Sequence, residues 1–356
     1  MTDLWSPIEV GGMALRSRIA MAPMTRSRSL PSGVPTVLNV EYYAQRASVG
    51  LIITEGTQPS ADGQGYLLTP GIYTDEHIAG WRAVVDAVHA KGSRLVVQLM
   101  HVGRIAHPDN TEHGRQPVAP SAVKPVGVMF TPGGPQAIPE PRALSTQDID
   151  ETIAAYRRAA AAAIAAGADG VEIHGANGYL PHQFLSSNAN RRTDQYGGSL
   201  PNRVRFPLEV ATAVADEIGA QRTGYRISPG NPFNDIVELD THDLYGHLVT
   251  ALAPLGLAYL HVAHGGDELM LKQIRTDWPG ALLLNRGGAD LPTRIQDLED
   301  GLADVITVGS MALANPDLVA RIKAGAPLNE ADPATFYGGN EHGYTDYPAL
   351  SPDQGS

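Results

Sequence analysis

The chain has 356 residues, 43% of them hydrophobic and 18% charged, which suits a large folded core and excludes global disorder. It has no cysteine, so disulfides, thiolate nucleophiles, zinc–thiolate sites and iron–sulfur clusters are all excluded. A net charge of −12 makes nucleic acid a poor partner.

Taken in chain order, short apolar runs alternate with helical patterns. A strand at Ile19–Met24 precedes a helix at Val40–Ser48, and a strand at Leu51–Gly56 precedes a helix at Glu76–Lys91. A third strand, Arg94–His101, is followed by a Pro- and Gly-rich stretch over about 103–142 and then a helix at Thr146–Ala166. The period continues with strands Gly170–His174, Gly224–Ser228, Tyr259–Ala263, Ala281–Asn285 and Val305–Val308. Helices are expected at Pro201–Ile218, Thr241–Leu255, Pro292–Gly301 and Pro316–Ala324, with Ser145, Thr241 and Asn315 as caps. Continuous apolar strands suit burial on both faces. Eight of them alternating with helices predict an α/β fold, a closed (β/α)8 TIM barrel with an excursion after strand three. The whole of 1–356 reads as one domain, with about 325–356 as a C-terminal capping segment.

An open doubly wound sheet needs a glycine-rich dinucleotide turn near its first strand. Val10-Gly11-Gly12 comes too early and starts no helix. The first ten residues show no secretory pattern, and the most apolar stretch, Ala154–Ala168, contains Arg157 and Arg158. The expectation is a cytoplasmic, monomeric protein with no membrane span.

In such a barrel the site lies where the strands end. Strand one ends in Ala22-Pro23-Met24-Thr25-Arg26, which reads either as a proline-stopped strand or as a ligand edge. Gly56 ends strand two and leaves room for a flat ligand or a simple turn. Gln98 is polar within an apolar run and needs a partner, either an amide-bearing heterocycle or another side chain. Strand four carries the densest cluster, Glu172-Ile173-His174-Gly175-Ala176-Asn177-Gly178-Tyr179. His174 and Asn177 supply convergent donors and Tyr179 a proton, a set suited to stabilising charge on a carbonyl or nitro oxygen. Arg226 inside strand five needs an anion, a flavin edge or a structural carboxylate. The ends of strands seven and eight, Asn285-Arg286-Gly287-Gly288 and Gly309-Ser310, sit where barrels often bind phosphate. His101, His107 and His113, and the pair His261 and His264, match no familiar zinc spacing, so no metal is expected.

These blocks together resemble the Old Yellow Enzyme family of FMN-dependent ene-reductases, close to its bacterial nitroester and enoate reductase branch. The resemblance also rests on Glu41-Tyr42-Tyr43-Ala44-Gln45-Arg46, Val97-Gln98-Leu99-Met100-His101-Val102-Gly103-Arg104 and Arg192-Thr193-Asp194-Gln195-Tyr196-Gly197-Gly198-Ser199. Ala314-Asn315-Pro316-Asp317-Leu318, Phe336-Tyr337-Gly338-Gly339 and Gly343-Tyr344-Thr345-Asp346-Tyr347-Pro348 complete it. It implies tightly bound FMN against Pro23, Met24, Thr25, Gly56 and Gln98, with Arg226 at the ring edge that gains charge on reduction. It implies that His174 and Asn177 hold the substrate oxygen, that Tyr179 protonates the alkene, and that Tyr66, Met100, Phe336 and Tyr337 shape the pocket. NADPH or NADH is the implied hydride donor and an activated alkene the acceptor, in ping-pong order. Nitroester or nitroaromatic reduction in the same site, and flavin binding without turnover, are the alternative readings. Two positions depart from the family pattern. Met100 stands where several relatives have tryptophan, and Gly309-Ser310 where many have Gly-Arg at the flavin phosphate. Arg286 is expected to restore that charge.

Overall fold

The computed structural model describes residues 3–350. Eight parallel strands close into a barrel: Ile19–Met21, Leu51–Ile53, Arg94–Leu99, Gly170–His174, Thr223–Ile227, Tyr259–His264, Ala281–Arg286 and Val305–Val308. Strand eight closes on strand one, with Ile306, Thr307 and Val308 opposite Ile19, Ala20 and Met21. Alternate side chains divide between two apolar clusters, as the two-residue period of a strand requires. Ala20, Leu51, Ile53, Val96, Leu283 and Val305 fill the inside, while Ile52, Val97, Ile173, Leu284 and Ile306 face the helices outside. Both faces are covered, so the strands read as continuous apolar runs.

The amino end of the barrel is plugged by a hairpin, Ile8–Val10 with Met13–Leu15, that the sequence reading did not include. Val10, Met13 and Leu15 join the inner cluster. Gly11 makes the turn at φ +57°, and a Cβ there would lie 2.4 Å from the Gln221 carbonyl oxygen. That close approach explains the glycine.

The expected helices form with boundaries shifted by a few residues, among them Val37–Gln45, Asp75–His89, Thr146–Ala165, Leu200–Ile218 and Thr241–Leu252. Ser145 caps its helix in a reciprocal box with Asp148. The other two expected caps are corrected. Thr241 is already the first helical residue, after Asp240. Asn315 ends the short helix Ser310–Ala314, and the next helix starts after Asp317. Two further helices, Leu180–Leu185 and Glu268–Asp277, lie on loops after strands four and six.

The excursion after strand three carries a hairpin, Val128–Thr131 with Gly134–Ala137. Its Met129, with Ile138, packs against Met100, Tyr66 and Tyr179 at the carboxyl end of the barrel. On the other side, Arg26 and Arg28 tie the C-terminal segment down. Arg26 donates to the carbonyls of Phe336 (3.0 Å) and Gly343 (2.8 Å). Arg28 donates to those of Asn340, Thr335 and His342. No helix among the described residues is long and apolar enough to cross a membrane.

Candidate active site

His174 ends strand four and pairs in register with Arg226 of strand five. His174 Nδ1 accepts from the Ala176 N–H at 3.3 Å. Burial, with the nearby charges of Arg226, His261 and His182, pushes its pKa well below 6.5. The ring is therefore neutral with its proton on Nε2, a donor with no acceptor among the described residues.

Asn177 follows in the left-handed region at φ 55°. Its N–H donates to Ser228 Oγ at 2.9 Å, and its carbonyl accepts from Asn234 Nδ2 at 2.7 Å. Its side-chain Oδ1 accepts from Asn231 Nδ2 at 3.0 Å. Only Nδ2 is left, a second donor. The Tyr179 hydroxyl lies 3.0 Å from that of Tyr66, and its ring meets His174 edge-on with centroids 4.8 Å apart. Burial, reinforced by Tyr66, raises the Tyr179 pKa well above 10, so it stays a neutral phenol.

Beneath this layer runs a buried chain across the barrel interior. Gln98 Nε2 donates to Glu172 Oε1 at 2.7 Å, and Glu172 Oε2 meets His261 Nδ1 at 2.8 Å. His261 Nε2 reaches Thr307 Oγ1 at 3.1 Å. Desolvation opposes the charge on Glu172, but His261, Arg226 and Gln98 outweigh it and hold its pKa below the usual value. Arg226 is 7% exposed, and its Nε has no hydrogen-bond partner among the described residues. A buried guanidinium donor left open points to an absent acceptor.

The other expected residues fall around the same rim. Pro23, Met24 and Thr25 are partly exposed at the end of strand one. Gly56 is covered by Met100, whose Sδ would lie 2.4 Å from an added Cβ, so the thioether takes the room left by the glycine. Gln98 finds a side-chain partner in Glu172 through Nε2. Phe336 and Tyr337 follow the clasp made by Arg26, with Tyr337 70% exposed at the mouth. At the ends of strands seven and eight, Gly287, Gly288 and Ser310 are exposed, and Gly309 lies close to Met24.

Arg286 departs from expectation. Asp297 takes its Nε (2.6 Å) and Nη2 (2.8 Å), and Glu268 takes Nη1 (2.6 Å) and Nη2 (3.1 Å). Two carboxylates already balance its charge, which weighs against a free cation for a phosphate. Glu172, Thr307, Ser228, Asn231 and Asn234 were not singled out from the sequence, and His261 was weighed there only as a metal ligand. Glu172 had a visible signal, a charge within an apolar strand, the same signal that marked Arg226. Asn231 had none. No cluster of side chains suited to holding a metal ion occurs among the described residues.

The donor set fits FMN. The open Arg226 Nε suits the electron-rich edge of a flavin ring, and the exposed Gly287, Gly288 and Ser310 at the ends of strands seven and eight leave backbone within reach of a phosphate. With His174, Asn177 and Tyr179 beside them, these features define a flavin-dependent oxidoreductase built on a (β/α)8 barrel. The chain belongs to the FMN-dependent Old Yellow Enzyme family, matching the NADH:flavin oxidoreductase / NADH oxidase family over residues 3–329. It is 44% identical over 357 residues to a probable flavin mononucleotide-dependent alkene reductase of Leishmania infantum, covering 97% of this chain and 96% of that one. It is 43% identical to a chanoclavine-I aldehyde reductase of Penicillium roqueforti, covering 98% and 96%. The structure of morphinone reductase superposes with a TM-score of 0.94 at 46% identity, covering 98% and 97%. The chain is an FMN- and NAD(P)H-dependent oxidoreductase.

Proposed function

We propose that the chain reduces the activated C=C bond of small enones, enals, maleimides and nitroalkenes in one pocket shared with NAD(P)H. The carrying observation is a pair of donors with no acceptor among the described residues, His174 Nε2–H and Asn177 Nδ2–H at the end of one strand, with the neutral phenol of Tyr179 against the His174 ring. When bound, FMN accepts hydride from NAD(P)H and supplies it to the alkene β-carbon.

His174 and Asn177 hold the carbonyl or nitro oxygen and stabilise the negative charge that gathers there as the β-carbon is reduced. One such donor is worth about 3 kcal/mol where water is excluded. Tyr179 gives its proton to the α-carbon, and Tyr66, 3.0 Å away, lies on the route for its return. Arg226 would hold the electron-rich flavin edge, with Thr25 along the polar rim, Gln98 reaching it from the buried chain beneath, and Pro23, Met24 and Gly56 against the ring. Since Arg286 is balanced by Asp297 and Glu268, we assign the phosphate to the backbone at Gly287, Gly309 and Ser310, with Arg286 as a scaffold for that loop. Met100, Phe336 and Tyr337 would bound the substrate. A cytoplasmic setting is part of the proposal, supported by the cysteine-free composition.

The test is an anaerobic absorbance titration of the purified protein with NADPH, then 2-cyclohexenone. Bleaching of the yellow protein followed by recovery of colour is expected. A protein that takes up no FMN, or one that bleaches but is reoxidised by no activated alkene, would overturn the reading.

A further inference from the structure

A carboxamide has two orientations of nearly the same shape, one presenting NH₂ and the other oxygen. Which one Asn177 shows the cavity decides whether the pocket is a donor or an acceptor, and its own backbone does not decide it. The loop after strand five does. The N–H of Phe233 donates to Asn231 Oδ1 at 3.0 Å. Asn231 Nδ2 then donates to Asn177 Oδ1 at 3.0 Å, which turns Asn177 Nδ2 to the cavity. A backbone N–H can only donate, so the direction set at Phe233 passes through two amides without ambiguity.

We propose that Asn231 is a positioning residue that fixes the polarity of the oxygen pocket, locking Asn177 as a donor and so selecting ligands that present an acceptor oxygen. This rests on the assignment of Asn177 to the substrate oxygen. The loop is stiff enough to impose the choice. Glu238 accepts from the Gly230 N–H at 2.8 Å and meets buried His182 at 2.8 Å. Arg104 and Asn188 both donate to the Asp235 carbonyl, at 2.6 and 2.7 Å. Asn234 and Ser228 hold the Asn177 backbone from the same loop.

Asn231→Asp tests the lock. An aspartate still accepts from Phe233 but cannot donate, so Asn177 turns Nδ2 toward it and shows Oδ1 to the pocket. Binding of cyclohexanone, an unreactive ketone, to the oxidised holoenzyme is read from the flavin difference spectrum. It weakens at least about ten-fold, roughly the loss of one directed hydrogen bond. KM for 2-cyclohexenone rises by a similar factor, more than kcat falls, while FMN content and Tm stay close to wild type. Asn231→Leu, which carries no charge, weakens binding in the same direction but less. In an Asn177→Ala background, Asn231→Asp has no further effect on ketone binding. Wild-type ketone affinity in Asn231→Asp, or an equal loss with and without Asn177, overturns the proposal. Selective ¹⁵N-asparagine labelling separates this from failure of the proposed function. The Asn177 side-chain amide, assigned by its absence in Asn177→Ala, moves downfield in Asn231→Asp if it has turned to a carboxylate, whatever the enzyme reduces. An unmoved resonance also overturns the lock.

Discussion

A phenol in water titrates near about 10, and burial moves Tyr179 further up, so it carries its proton throughout the working range. Tyr179→Phe is expected to slow reoxidation of the enzyme by an enone about 10²–10⁴-fold, with reduction by NADPH within a few-fold of wild type. Stopped-flow measurement of the two half-reactions checks this, and equal slowing of both would remove Tyr179 from the protonation step. His174 gives a complementary expectation. Its pKa is pushed well below 6.5 by burial and by Arg226, so the donor is the same neutral Nε2–H from pH 6 to 8. The pH profile of kcat/KM for the enone should then show no inflection near 6.5. An inflection there that disappears in His174→Asn would mean that the ring titrates in solution.

Among the elements, the C-terminal segment depends on two side chains from the loop after strand one. Arg28→Ala removes donors to Thr335, Asn340 and His342, a loss of about 2–4 kcal/mol for charged hydrogen bonds. Limited proteolysis should then cut first within 335–343, and Tm should fall. The eight strands were legible because runs such as Leu51–Ile53 and Val305–Val308 are apolar where both faces are covered. The amino-terminal hairpin was not, because two three-residue strands are too short to show a period. Helix Glu268–Asp277 escaped because it buries only Met270, Leu271 and Ile274. His174, Asn177 and Tyr179 were legible as a group because one strand end carries all three. Their supports were not, since Asn231 and His261 act on partners 54 and 89 residues away. Nor does the sequence at Arg286 reveal that Glu268 and Asp297 converge on it from two different helices.

The molecule as a whole keeps several histidines neutral by burial. His77, His174 and His261 are all depressed, and His101 falls to about 4. Between pH 6.5 and 4 the unfolded chain binds protons at these positions that the folded chain refuses, so stability falls as pH falls. His101 alone accounts for about 3 kcal/mol of that loss by pH 4, as an upper figure. A series of Tm measurements from pH 7.5 to 4.5 should decline steadily below 6.5, and His101→Gln, if it folds, should flatten the decline. A Tm that holds constant to pH 4.5 would contradict the burial of these rings. The clasp between Arg26 and the far end of the chain has a different bearing, on synthesis. Its contacts span 310 to 317 residues, whereas the last barrel strand is finished at Val308. A nascent chain leaving the ribosome therefore exposes all eight strands while one side of the mouth is still unmade, and translation leaves an interval in which a cofactor meets an unclasped barrel.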